Sequence, residues 1–561
     1  MQSVGSHAMS WPQRLSAMFR AAPLSPDDYP NYLAAPRVER RVLPPAKLLI
    51  CLLLLVAFLP RLLMAFRVGV VCSDGAYYIQ LAEALERGDI AQALNMQFNL
   101  FPVVLAGLHK LGLSWEVAGK VWGVTMSTLV VLPLFGWVRR QFDDRIAAVA
   151  CILYAIHPEL IEWSPEVVRE PTFWFAFTLT IYLLWRAISE VRIGFFLLAG
   201  LTMTLGALTR FEALFLVVLL VGWTGIRWWA LTEKRTKLIF GALACPLALP
   251  TLLLSVNLLW VHQECSLNLL RLEPLKRVEN WLVSWSTGNA GSPTTADPAV
   301  ATYSASPTAS GWQALKSGVH KPWMFLHTME RGLTPFFALL MFGGYFAWHR
   351  LFNRRDHACV LLVAMLVCAG IWIHLWFTNQ ASGRYVMSVV VLSTRCAAVG
   401  AILVAHWICR VVTILTTSRW LRPVGVLASM LLVLGVIGWI DALSTRFRSR
   451  ELSAELGNWI RGHFGELRVI FGTDEQLAII SYHAHAYYWE PPRGVRGNSI
   501  VDLVKYSPPD VIVVANGAER AKDFSILIDE GRELGFERVD SSLLPHPSDR
   551  VIVLSRVPMT R

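Results

Sequence analysis

The chain has 561 residues, of which 55% are hydrophobic and 16% charged, with a mean hydropathy of +0.47. A soluble domain carries about 25% charged residues, so this composition excludes a soluble globular enzyme, a disordered chain and a coiled coil. The formal charge of +11 has an ordinary cause in a membrane protein, where Lys and Arg gather in cytoplasmic loops, and no nucleic-acid partner is expected.

In chain order, residues 1–44 are polar and end in Arg37, Arg40 and Arg41, which reads as a cytoplasmic N-terminal segment. No small-residue cleavage site follows the first apolar run, which is therefore expected to be an uncleaved signal anchor. Segments of about 17–25 apolar residues can cross a bilayer. Eleven are predicted, at 46–66, 117–138, 145–161, 171–187, 193–209, 212–229, 238–261, 333–348, 358–377, 386–409 and 424–441. With that count, five basic loops fall on the side of the N-terminus: Arg139 to Arg145, Arg186 to Arg192, Arg227 to Lys237, Arg350 to Arg355 and Arg410 to Arg422. The N-terminus is then cytoplasmic and the C-terminus extracytoplasmic.

Three larger outward pieces follow: the loop 67–116 with a helix-like stretch at Ile79 to Glu86, the loop 262–332, and the tail. The middle of the second, Ser286 to Ser310, is rich in Ser, Thr, Ala, Gly and Pro and is expected to be mobile. The chain thus divides into 1–44, a transmembrane domain 45–441 and an extracytoplasmic domain 442–561. In the tail, Arg468 to Phe471, Val511 to Ala515 and Val551 to Leu554 look like strands, and Glu451 to Phe464 and Glu519 to Leu534 look helical. That alternation predicts a small α/β domain with a mostly parallel sheet. No glycine-rich nucleotide fingerprint follows any strand. Most of the nine cysteines sit in apolar runs. Cys72 and Cys265 are the two placed outside, where a bridge between them is left open, and no Cys or His spacing suggests zinc.

The informative residues are charges at the outward ends of spans, which the topology does not require. Asp74, in Cys-Ser-Asp-Gly-Ala-Tyr-Tyr, fits either a helix N-cap or a base that takes a proton from a hydroxyl nucleophile. Glu166 and Glu170 bracket the start of the fourth span. They would share a face if that segment were helical, with Arg169 as a salt-bridge candidate, and either suits the positive end of a helix. Arg210 and Glu212 occupy a very short outward loop, as an internal ion pair or as an anion site built on the planar guanidinium. Arg384 and Tyr385 precede the tenth span, where Arg384 either snorkels or binds an anion. His157 and His374 read as core or interface residues. These acids and arginines all belong to one end of the bundle. A transporter or flippase of a polar lipid, the alternative reading, would place polar groups near the midplane and break matched helices. A non-catalytic scaffold or sensor working through its tail is a third.

These motifs, in this order, resemble the GT-C membrane glycosyltransferases, specifically the bacterial relatives of the dolichyl-phosphate-mannose protein mannosyltransferases and the aminoarabinose transferases. The matching features are Asp74 followed by Tyr77 and Tyr78, the run Asn99 to Ala106, the acidic start of the fourth span, Leu-Thr-Arg-Phe-Glu-Ala, and Ser-Gly-Arg-Tyr-Val, covering about residues 45–410. Many relatives carry Asp-Glu in the first loop, whereas this chain has Asp74-Gly75. The resemblance implies a GT-C-like helical membrane fold that transfers a sugar from a polyprenyl-phosphate donor to a hydroxyl acceptor on protein, lipid or glycan, at the outer face and with inversion. It implies Asp74 as general base, Arg210, Arg384 and Tyr385 at the donor phosphate, and Glu166, Glu170 and Glu212 binding the sugar or organising the site. The donor tail would lie in membrane lipid. No cofactor and no obligatory metal are expected.

Overall fold

The computed structural model describes residues 45–89, 99–231, 233–260, 311–348, 354–378, 382–416, 422–444 and, with short breaks, 447–559. The segment 1–44, the stretch Ser286–Ser310, Cys265 and most of the helix expected over Glu519–Leu534 lie outside the described residues.

Helix α1 (Ala46–Arg67) buries Leu49, Leu53, Ala57, Arg61 and Met64, a stripe at helical spacing, and exposes Leu48, Leu52, Leu55, Leu59 and Leu63 on the face that lipid covers. The loop 67–116, expected to lie outward, holds α2 (Ser73–Glu86) and α3 (Leu100–Lys110). Asn99 caps α3 by accepting a hydrogen bond from the Phe101 N–H at 3.1 Å. Helix α4 (Trp115–Leu129) runs on into α5 (Val131–Gln141), and together they form the second expected span.

The third expected span, 145–161, is only partly helical, and the chain completes its return to the rim that holds Glu170 through a short helical turn and an irregular ledge. Only α6 (Asp144–Ala155) forms, with 12 residues. At 1.5 Å per residue that is about 18 Å, short of a hydrocarbon core of about 30 Å. Pro158 disfavours helical geometry at the residue before it, so the chain breaks at His157. Arg61 closes the broken end: its guanidinium donates to the carbonyls of Ala155 at 3.1 Å and Tyr154 at 3.4 Å. A cation there also suits the negative end of the helix. After the break come a five-residue turn of helix, α7 (Pro158–Glu162), and an irregular ledge through residue 169. The ledge then enters α8 (Glu170–Glu190), with Pro171 in its first turn.

The remaining helices follow the prediction, except that a helix over Gly311–Leu333 fills the end of what was expected to be the loop 262–332. They are α9 (Ile193–Thr209), a 3-10 turn Phe211–Phe215, α10 (Leu216–Ala230), α11 (Arg235–Trp260), α12 (Gly311–Leu333), α13 (Pro335–Trp348), α14 (Arg354–Thr378), a 3-10 turn Gly383–Val386, α15 (Met387–Thr416) and α16 (Pro423–Ser444). Every expected span except the third coincides with a helix or helix pair. Among the described residues seven are long and apolar enough to cross a membrane, while Ile193–Thr209 and Pro335–Phe346 are shorter apolar helices. Lipid offers no hydrophobic drive between helices, so small residues set their approach. A Cβ on Gly344 would collide with the Cys396 carbonyl and one on Gly400 with the Leu340 carbonyl, so α13 and α15 cross backbone to backbone.

The tail opens with α17 (Arg448–Phe464), then β1 (Val469–Gly472), α18 (Leu477–His483), β2 (Tyr487–Trp489), α19 (Asn498–Tyr506), β3 (Val511–Ala515), β4 (Glu537–Arg538) and β5 (Val551–Ser555). The sheet order is β2-β1-β3-β5-β4. Strand β1 pairs in parallel with β2 and β3, but β5 pairs antiparallel with β3 and β4, so the sheet is mixed where a mostly parallel one was expected. The antiparallel part comes from β4 and β5, neighbours in sequence that pair directly and add an antiparallel edge. Alternation along β3 serves both faces: Val511 and Val513 pack with Ile460 and Ile480, while Ile512 and Val514 pack with Ile500 and Val504. Helix α18 rests on the loop 67–116, where Ala478, Tyr482 and Tyr488 join Tyr78, Ile79, Phe101 and Leu105 in one apolar cluster.

Candidate active site

Asp74 is not the cap of α2. Cys72 is the N-cap residue, with no side-chain cap bond, and Asp74 lies inside the first turn. Its carboxylate is ion-paired to Arg384, Oδ2 to Nη1 at 2.5 Å, with the Asp74 side chain 44% exposed and that of Arg384 14%. Gly75 beside it has little room: a Cβ there would lie 3.1 Å from both the backbone oxygen and Cβ of Val167. The Asp-Gly pair is therefore what lets α2 lie against the ledge.

Arg384 is the second residue of the turn Gly383–Val386. Its Nε is 3.8 Å from Glu170 Oε1, and the same oxygen accepts from Arg210 Nη1 at 2.9 Å. Arg210 Nε and Nη2 both donate to Glu212 Oε1, at 3.0 and 2.5 Å. Asp74, Arg384, Glu170, Arg210 and Glu212 thus form one alternating chain of charge, drawn from α2, α8, the turn Phe211–Phe215 and the turn before α15. The side chains of Glu170, Arg210 and Glu212 are nearly buried. The Tyr385 ring centroid lies 5.2 Å from the central carbon of the Arg210 guanidinium and 5.3 Å from that of Arg384. Trp163 flanks Arg384 at 5.0 Å and Phe173 flanks Arg210 at 5.7 Å. Such aromatic faces hold a guanidinium flat while leaving its edge for hydrogen bonds. Glu170 Oε2 and Arg384 Nε are buried and have no hydrogen-bond partner among the described residues.

Three carboxylates face two guanidiniums in this chain, and Arg169 adds a third positive charge acting on Glu170 and Glu212. The cluster is therefore balanced before any substrate arrives. Burial raises the Tyr78 phenol above its ordinary range, so Tyr78 keeps its proton and is no base.

Glu166 and Glu170 do not share a helix face, because 164–169 is an irregular ledge. The expected ion pair with Arg169 gives way to others: Glu170 pairs with Arg210, and Glu166 Oε1 accepts from Arg450 Nη1 at 2.6 Å. Sequence reasoning missed three residues near the site. Glu159 accepts from Trp163 Nε1 at 2.9 Å and from Arg331 Nε at 3.1 Å, and its carboxylate fits against Gly383 only because that residue has no side chain. Two acids, Glu159 and Glu162, inside or beside a short predicted span were the available signal for the ledge. Arg450 had none, since it belongs to a basic stretch that reads as ordinary surface charge. His157 packs on Phe337, as a core residue should, and His374 packs edge-on against Tyr385 with ring centroids 4.9 Å apart. Among the described residues no three His, Cys, Asp or Glu side chains are grouped as metal ligands.

The helical bundle with its small tail sheet has the GT-C membrane glycosyltransferase fold. Residues 100–260 match the family described as dolichyl-phosphate-mannose-protein mannosyltransferase, which is under a third of the chain. The structure is similar to an oligosaccharyltransferase of Archaeoglobus fulgidus solved with zinc and sulfate, with a TM-score of 0.55 and 13% identity over 86% of this chain and 69% of that one. It is also similar to ArnT of Cupriavidus metallidurans bound to undecaprenyl phosphate, with a TM-score of 0.53 and 13% identity over 91% of this chain and 97% of that one. No curated protein matches significantly by sequence.

Proposed function

We propose that the protein transfers a sugar from a polyprenyl-phosphate donor to a hydroxyl acceptor on the extracytoplasmic face, with inversion at the anomeric carbon. The observation that carries this reading is the Asp74–Arg384–Glu170–Arg210–Glu212 chain, which joins a partly exposed carboxylate to buried guanidiniums. The undecaprenyl phosphate named for the Cupriavidus relative supports a lipid-phosphate donor for this fold.

Arg384 is the group that meets the donor phosphate. It holds Asp74 on one side and Glu170 on the other, so an arriving phosphate competes with Asp74 for the guanidinium. That competition frees the Asp74 oxygens to accept a proton. The acceptor oxygen then bonds to the anomeric carbon, its proton passes to Asp74, and the bond from that carbon to the phosphate oxygen breaks. The electron pair leaves with the polyprenyl phosphate, whose growing charge Arg384 stabilises at short range. Arg210, locked between Glu170 and Glu212, keeps Glu170 in place behind Arg384 and adds positive potential, while Tyr385 holds both guanidiniums. Glu166, Glu170 and Glu212 bind sugar hydroxyls or organise the arginines. Arg384 faces the leaving phosphate once Asp74 takes up the proton and gives up its charge, and the reaction is expected to survive chelation of divalent metals.

In this reading the N-terminus is cytoplasmic, and residues 442–561 form an extracytoplasmic domain beside the transmembrane domain 45–441. The acceptor class is a protein, lipid or glycan hydroxyl. The test is purified protein in liposomes with a panel of polyprenyl-phosphate sugars and simple hydroxyl acceptors. Donor-dependent release of polyprenyl phosphate with matching sugar transfer is expected, unchanged by a chelator. Facilitated movement of a lipid across the bilayer without cleavage of the sugar–phosphate bond would contradict it.

A further inference from the structure

One buried ion pair joins the tail to the site. Arg450 stands in the first turn of α17, the first helix of the tail, and its Nη1 reaches Glu166 on the ledge at 2.6 Å. The side chain of Glu166 is 1% exposed and that of Arg450 18%. A buried carboxylate is strongly destabilising when its counter-charge is removed. Glu166 therefore depends on a cation that the membrane domain does not supply at this contact. The geometry around the pair is fixed on both sides. Phe447 lies under the Arg450 guanidinium at 5.1 Å and is itself packed on Met64, Val68, Ile161 and Ala442. The ledge is held by α4, where a Cβ on Gly119 would press on the Val167 side chain and one on Gly123 would strike the Ser164 carbonyl. Glu162 also acts on Arg450 electrostatically.

The tail reaches the site a second way. Helix α18 packs on α2, which carries Asp74, and Gln476 just before α18 bonds to Ser449 and Ser453 of α17. Between the two contacts lies Cys72, which senses the charges of Glu166, Arg450, Asp74 and Arg384 together. The two pairs are tied by packing as well: a Cβ on Gly75, next to Asp74, would lie 3.5 Å from Cys72 Sγ and 3.1 Å from Val167, next to Glu166. Glu166 Oε2 is buried with no hydrogen-bond partner among the described residues, so the pair leaves one acceptor of this carboxylate uncommitted.

We propose that Arg450 is a positioning residue supplied by the tail: by holding one oxygen of Glu166 it fixes the other as an acceptor for a donor-sugar hydroxyl, which makes a seated tail part of the donor site. The inference rests on the transfer reaction proposed above and adds a residue from outside the motifs that suggested it.

The test compares wild type with Arg450→Met, Arg450→Lys, Glu166→Gln and the double variant Glu166→Gln with Arg450→Met, by steady-state transfer and by hydrogen exchange over residues 163–169. For Arg450→Met the donor KM should rise about ten-fold, the worth of one charge-assisted hydrogen bond, with kcat within about two-fold. Arg450→Lys should recover most of the loss. The double variant should be no worse than the worse single, because it leaves no unpaired buried carboxylate. Exchange over the ledge should quicken in Arg450→Met. If that variant does not fold, Arg450→Lys and Glu166→Gln carry the same KM comparison. A merely structural pair would lower stability and leave KM unchanged, and that result, additive losses in the double variant, or wild-type exchange over the ledge would overturn the proposal. Absence of transfer by wild type with every donor would overturn the reaction instead, while the exchange comparison would still judge Arg450.

Discussion

Single residues decide the chemistry through their neighbours. Glu170 is the hinge of the charge chain, since its Oε1 faces both Arg210 and Arg384. Its replacement by Gln keeps the shape and removes the charge that two buried guanidiniums share. Glu170→Gln is expected to lose about 3 kcal/mol of stability, the usual cost of breaking a buried ion pair, read as a lower unfolding midpoint in detergent, together with a higher donor KM. An unchanged midpoint would mean that Arg210 and Glu212 suffice alone. The five residues of this chain were legible in the sequence because each is a charge at an outward span end, where topology does not ask for one. Their pairing was not legible. Asp74 also looks like a helix cap, and only the approach of the turn before α15, which lies directly against Gly332 of α12, brings Arg384 against it.

At the level of elements, the ledge between α6 and α8 matters most. A 17-residue window of moderate hydropathy reads as a span, yet Pro158 and the capping guanidinium of Arg61 end the helix early. The remaining chain turns aside and carries Glu159, Glu162, Glu166 and Glu170 along the rim. Hydropathy sums over a window and cannot register one proline and one distant arginine, which is why it missed that the helix of the third segment ends at Ala155, short of the expected bound. The ledge needs the small faces of α4. Gly123→Ala should force it away from Ser164, costing about 1–3 kcal/mol as overpacking does and lowering transfer, whereas Gly194→Ala, with nothing within 4 Å of its Cβ, should change neither. Thermal unfolding and transfer rate measured on the two variants separate the outcomes; equal behaviour would remove the ledge from the account.

The whole molecule has a GT-C fold in which one rim of the bundle carries the candidate site and the tail is fastened to that rim. The helical class and nearly every span were legible from apolar length alone, because a bilayer demands long, self-satisfied helices. The tail strands were legible from short buried runs, but the order and mixed direction of the sheet depend on long-range pairing that no local pattern encodes. The proposed orientation is testable at the tail. In the proposed topology a cysteine replacing Tyr506, 92% exposed at the end of α19, should be labelled by a membrane-impermeant maleimide from the extracytoplasmic side of intact cells. Labelling only after permeabilisation would invert the topology.

The central claim is that Asp74, facing Arg384, takes the proton in sugar transfer. The most direct measurement is the transfer rate from a polyprenyl-phosphate sugar by Asp74→Asn beside wild type, with folding checked by unfolding midpoint and size-exclusion profile. The account predicts a folded, membrane-inserted variant whose kcat falls by at least about 100-fold, the range of general-base catalysis. Transfer by folded Asp74→Asn at the wild-type rate would contradict it.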